Sequence, residues 1–139
     1  MQHLTAVERH FMTELINIEH RKPIWIALSG FYLTTELQES DFRYIAVTIL
    51  ASPYSFDEVK KINKYEVFPI LQPNLLSVTG EWAGFDEEWL VKTITNRLTK
   101  KNKLNEVNVE VCYLVFKGMY KKYWRNVERV YNEMKNKRR

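Results

Sequence analysis

Val107-Asn-Val-Glu-Val-Cys-Tyr-Leu-Val-Phe-Lys-Gly-Met-Tyr-Lys-Lys-Tyr123 decides the fold class of this 139-residue chain. Its first five residues alternate apolar and polar, the period of a half-buried strand. Val109, Cys112, Phe116, Met119 and Tyr123 step instead at threes and fours, the period of a helix. A strand needs a neighbour to complete its hydrogen-bond ladder, and no second convincing strand is written elsewhere. Residues 105–116 therefore read as helix. The chain reads as all-α, a single compact bundle of five to seven helices.

Downstream the pattern is plainer, because Tyr123, Val127, Val130 and Met134 continue one apolar stripe while Lys and Arg crowd the other side. Upstream, Lys100-Lys-Asn-Lys103 reads as a polar linker. Asp86 is placed to cap a helix from Glu87 to about Leu98, with Trp89, Leu90, Ile94 and Leu98 apolar. Further back, Ser55-Phe-Asp-Glu58 matches a capping box. Ser40 is a candidate cap for a helix carrying Phe42, Ile45, Ala46, Ile49 and Leu50, ended by Ser52-Pro53. Pro23 suits the first turn of a helix to about Glu36, preceded by one over roughly 3–20. Core candidates are Trp25, Leu28, Phe31, Ile45, Ile49, Phe68, Leu75, Leu76, Trp89 and Ile94.

Between Tyr65 and Phe85 the chain departs from ordinary amphipathic helix. Pro69 and Pro73 lack a donor amide, and Gly80 and Gly84 permit backbone angles that other residues avoid. An irregular segment at about 65–85 is expected, with the preceding helix interrupted at Pro69. No repeat or low-complexity tract breaks the chain, so 1–139 reads as one domain. Arg21-Lys-Pro-Ile-Trp-Ile-Ala-Leu-Ser29, Ala51-Ser-Pro-Tyr-Ser55, Tyr65-Glu-Val-Phe-Pro69, Pro73-Asn-Leu-Leu76 and Gly84-Phe-Asp-Glu-Glu-Trp-Leu90 resemble a family of small bacterial proteins of uncharacterised function. The resemblance covers about residues 20–98 and leaves out the first helix and the basic part at about 104–137. It implies a small helical domain and brings no activity or catalytic residue with it.

Charge is divided along the chain. From Arg97 onward thirteen basic residues face four acids, and residues 1–96 carry eight against thirteen. Each pole invites a partner of the opposite sign. A single cysteine excludes an internal disulfide, and with no apolar leader or membrane-length run a cytoplasmic location is expected, with no membrane partner.

Catalytic patterns are missing. Ser29-Gly30 lacks the G-x-S-x-G context, four glycines do not cluster as a phosphate loop, and His3, His10 and His20 lack zinc spacing. Cys112 lies in an apolar run and is expected to be a buried thiol. No enzyme activity, metal or cofactor is expected. Two surfaces remain. Glu81, Trp82, Asp86, Glu87 and Glu88 join acids to an aromatic, a mixture suited to protein contact, although acids at a helix start also serve as caps. Lys117, Lys121, Lys122, Arg125 and Arg129 line a helix beside Tyr120 and Trp124, a pattern suited to a phosphate backbone. The expected function is a non-catalytic protein-binding module, of the immunity or antitoxin kind, with a cognate toxin as partner. The alternative is association with nucleic acid through the basic helix.

Overall fold

A computed structural model describes residues 5–33, 36–77, 86–99 and 103–137, with the backbone alone at 10–16, 74–77 and 103–107. Six α-helices carry these residues: α1 Ala6–Leu28, α2 Glu39–Ala51, α3 Phe56–Ile62, α4 Phe68–Ser77, α5 Glu87–Thr99 and α6 Lys103–Lys137. A 3₁₀ turn at Ser29–Tyr32 closes α1, and a π-helical turn at Asn63–Val67 joins α3 to α4. The all-α expectation holds, and among the described residues no strand occurs. Residues 105–116 lie within α6.

Local chemistry starts the helices. Thr5 and Glu8 form a reciprocal capping box at α1, and Ser55 and Glu58 form the expected one at α3. The Ser55 amide and hydroxyl hold the Glu58 carboxyl below its usual range. Asp86 caps α5 through Oδ1, which accepts from the Trp89 amide at 2.7 Å. The α2 start is displaced from the expected Ser40 to Gln38, whose amide donates to Asp41 Oδ2 at 2.8 Å.

Prolines read as boundaries are carried inside helices. Pro23 lies within α1, so the two predicted N-terminal helices are one, and Pro73 lies within α4. Instead of breaking at Pro69, the chain widens. The Phe68 amide bonds to the Asn63 carbonyl five residues back, so one residue is inserted into the helical ladder. Pro69 has no amide for the Tyr65 carbonyl four residues back, and Arg97 of α5 supplies a donor to it, NH1 to oxygen at 3.2 Å. Residues 65–77 are thus helical. The irregularity expected from 65 is absent through 77, and 78–85, the rest of the expected segment, lie outside the described residues.

The core is aromatic. Trp25, Leu28, Phe31 and Tyr32 from the end of α1 meet Phe42, Ile45 and Ile49 of α2, Phe68 and Leu71 of α4, and Tyr120, Trp124 and Val127 of α6. Phe31 stands edge-on to Trp124 at 4.9 Å, and Phe68 stands edge-on to Tyr113 at 5.1 Å, orientations that ring quadrupoles favour. The broadest helix–helix interface is between α2 and α6, while α5 packs on α1. Leu90 and Ile94, one turn apart, are the inward residues of α5.

Three core expectations fail. Trp89 is 39% exposed, because Leu90 and Ile94 define the inward face of α5 and the preceding residue turns away from it. Cys112 and Met119 are exposed, although the apolar stripe they were assigned to is buried at Val109. Leu75 and Leu76 fall where only backbone is described.

Candidate functional site

An α-helix covers itself on one face by packing and leaves the rest to solvent. In α6 the covered face consists of Val109, Tyr120, Trp124, Val127 and Val130. Its outer face is not uniformly polar. Val111 is 57% exposed, Leu114 64%, Val115 71% and Met119 55%. These residues recur at three, four and eight from Val111, so they form one stripe about two turns long. Gly118 sits within the stripe at the next helical step, and a Cβ there would meet nothing within 4 Å.

Cations flank that stripe toward the C-terminus. Lys117, Lys121 and Arg125 are exposed and form no ion pair with a described residue. The other two predicted nucleic-acid contacts lie beside acids of the chain itself. Lys122 lies 3.8 Å from Glu36, and Arg129 pairs with Glu39 at 2.7 Å and with Glu133 at 3.6 Å. The Glu39 carboxylate raises the Arg129 pKa, and Arg129 lowers that of Glu39. The basic face is therefore broken by acids that its sequence neighbours do not announce, because Glu36 and Glu39 arrive from the start of α2.

Nearer its N-terminus, α6 is tied to the π-turn. Glu110 accepts from the Tyr65 hydroxyl and pairs with Lys64 at 2.8 Å. Lys64 lies over the rings of Tyr65 at 5.0 Å and Tyr113 at 5.3 Å. The Lys64 ammonium and the Tyr65 hydroxyl hold the Glu110 carboxyl below its usual range.

The acidic surface is partly occupied by structure. Asp86 is engaged in capping α5, as one reading of the cluster required. Glu87 and Glu88 stand exposed in the first turn, where carboxylates complement the helix dipole, and Trp89 follows them half-exposed. Glu81 and Trp82 lie outside the described residues. Among the described residues no group of three His, Cys, Asp or Glu side chains could hold a metal, and no helix is long and apolar enough to cross a membrane.

Sequence reasoning missed the apolar outer stripe. Val111, Leu114, Val115 and Met119 were readable at helical spacing, but the same helix carries a second, larger apolar stripe that drew Met119 into it.

No curated protein and no solved structure matches the chain. A match to a family of uncharacterised domains spans residues 19–130, and so runs past the 20–98 resemblance, through the outer stripe of α6, to Val130. That span takes in most of the chain, which belongs to the family described as the domain of unknown function DUF7079.

Proposed function

We propose that this domain is a non-catalytic protein-binding module whose contact surface is the outer face of α6. The observation that carries the reading is the stripe of Val111, Leu114, Val115 and Met119, each more than half exposed. Contiguous exposed apolar residues bordered by charge mark protein contact surfaces, since water solvates them poorly and a partner removes them from it. Lys117, Lys121 and Arg125 at one border call for carboxylates at the rim of the partner's apolar patch.

Nucleic acid is the second reading. It is supported by those same three cations. It leaves the apolar stripe without a role, and Lys122 and Arg129 already face acids. Protein is favoured for that reason. Inhibition of a toxin, in the manner of an antitoxin or immunity protein, is the specific form we propose. Glu87 and Glu88 are then a second contact. It predicts that the captured partner loses its toxic activity at equimolar domain.

The test captures partners from native cells, after nuclease treatment, with the wild-type chain, with Leu114→Asp and with Lys117→Glu/Lys121→Glu. Support is a protein held in near-equal amount by wild type, lost with Leu114→Asp and weakened by the charge reversals. A partner held equally by the wild-type chain and both variants overturns the reading. So does self-association of the wild-type chain through this stripe, or capture that disappears with nuclease.

A further inference from the structure

A second feature is independent of the α6 outer face. We propose that a cavity between α4, α5 and α6 is a binding site for a small apolar carboxylate. Its volume is about 360 Å³, within the range of about 300–1,000 Å³ that small-molecule sites occupy. Phe68 and Pro73 of α4 and Val109 and Phe116 of α6 make its walls apolar. Such walls favour a hydrocarbon ring or chain over bound water.

Gln72, Arg97 and Asn108 are the polar side chains of the lining, and the one cation among them decides the ligand's head. Arg97 donates through NH1 to the Tyr65 carbonyl, the acceptor that Pro69 leaves without its helical amide. Arg97 also lines the cavity, and no described carboxylate pairs with it. A planar guanidinium presents two parallel donors, which match a carboxylate better than any neutral group. Gln72 is 3% exposed, and its Oε1 accepts from the Tyr120 hydroxyl. Its Nε2 is buried with no acceptor. That nitrogen has almost no accessible surface, so Gln72 adds to the wall, and the Arg97 guanidinium is the charge a ligand's head would meet.

A single cation among neutral groups suits a monoanion. A phosphate dianion would leave an uncompensated charge among apolar walls. Chain-shaped and ring-shaped acids share this chemistry, and the experiment separates them by shape.

Cys112 also lines the cavity, is exposed, and is the chain's single cysteine, so it reports occupancy specifically. The purified full chain is titrated by calorimetry with octanoate and with phenylacetate, and with octanol and octylamine as controls. The rate of Cys112 modification by a neutral maleimide is followed in parallel. Saturable one-to-one binding of octanoate or phenylacetate is expected, at least about ten-fold tighter than octanol or octylamine. Maleimide modification slows as the site fills.

Arg97→Gln weakens binding about ten-fold or more, whereas Arg97→Lys retains part of it. Circular dichroism establishes that each variant is folded, and Cys112→Phe, at an exposed position, blocks the cavity without touching Arg97. No saturable binding up to about 5 mM overturns the proposal. Octanol binding as tightly as octanoate, affinity unchanged in Arg97→Gln, or a Cys112 rate indifferent to ligand does so as well.

Discussion

Trp25 donates its indole N–H to Glu66 Oε1 at 2.9 Å inside the bundle, while Arg21 reaches the other carboxylate oxygen at 2.6 Å. The indole is fully buried, and Glu66 is on the π-turn with 7% of its surface exposed. One inserted residue thus turns a carboxylate inward and satisfies both a buried donor and a cation of α1. Glu66→Leu strands both partners and is expected to cost about 2–4 kcal/mol, less than a fully buried pair because Arg21 is part-exposed. Glu66→Gln keeps an acceptor for Trp25 and should cost about half as much. Urea unfolding separates the two. Equal losses would show that the acceptor kept for Trp25 contributes nothing and that the charge on Glu66 carries the whole effect.

Pro23 is exposed in the interior of α1, where its ring deprives the Glu19 carbonyl of a helical donor. The cost is offset by the residues that follow it, since Ile24, Trp25 and Leu28 are fully buried. Pro23→Ala restores the amide and should raise stability by about 1–2 kcal/mol, after allowing for the greater freedom of the unfolded chain. A lower urea midpoint in this variant would show that the proline itself is needed to seat Trp25.

Where the physics is local, sequence reading succeeds. The Ser55–Glu58 box, the Asp86 cap and the helical period of α6 involve residues three or four apart, and each is present. Pro23 and Pro69 were misread as boundaries, and Pro73 as part of an irregular segment, because what carries the first two is tertiary: buried neighbours in α1, a π-turn before α4, and Arg97 from another helix. Trp89 was misplaced because size suggests core, whereas direction on α5 is fixed by Leu90 and Ile94. On α6 periodicity was read as one apolar stripe, although a second at the same spacing, Val111, Leu114, Val115 and Met119, stood beside it. The missed surface was therefore visible as residues and invisible as a face. The cavity could not be read at all, since Gln72, Arg97 and Val109 meet only in the fold.

Alkaline titration probes the aromatic interior. Burial raises the Tyr32 and Tyr120 pKa values well above the usual phenol, so both stay protonated in the folded chain. In the unfolded chain they ionise near the ordinary value of about 10. Their contribution to stability is therefore complete below about pH 10 and is lost as pH rises from there toward the folded values. Absorbance at the phenolate wavelength should show some of the eight tyrosines ionising only as helical circular dichroism is lost. Reversible ionisation of all of them with the helices intact would refute this.

Leu114 and Phe31 are both large and apolar, yet they should respond oppositely to substitution. Phe31 is 2% exposed and touches the rings of Tyr120, Tyr123 and Trp124, so Phe31→Ala leaves a cavity and should cost about 3–5 kcal/mol. Leu114 is 64% exposed, and Leu114→Gln keeps helix propensity, so stability should change by no more than about 0.5 kcal/mol. Thermal or urea unfolding of the two variants measures the contrast. A loss above about 2 kcal/mol for Leu114→Gln would mean that the chain itself covers the stripe. In that event the surface assigned to a partner would belong to the fold.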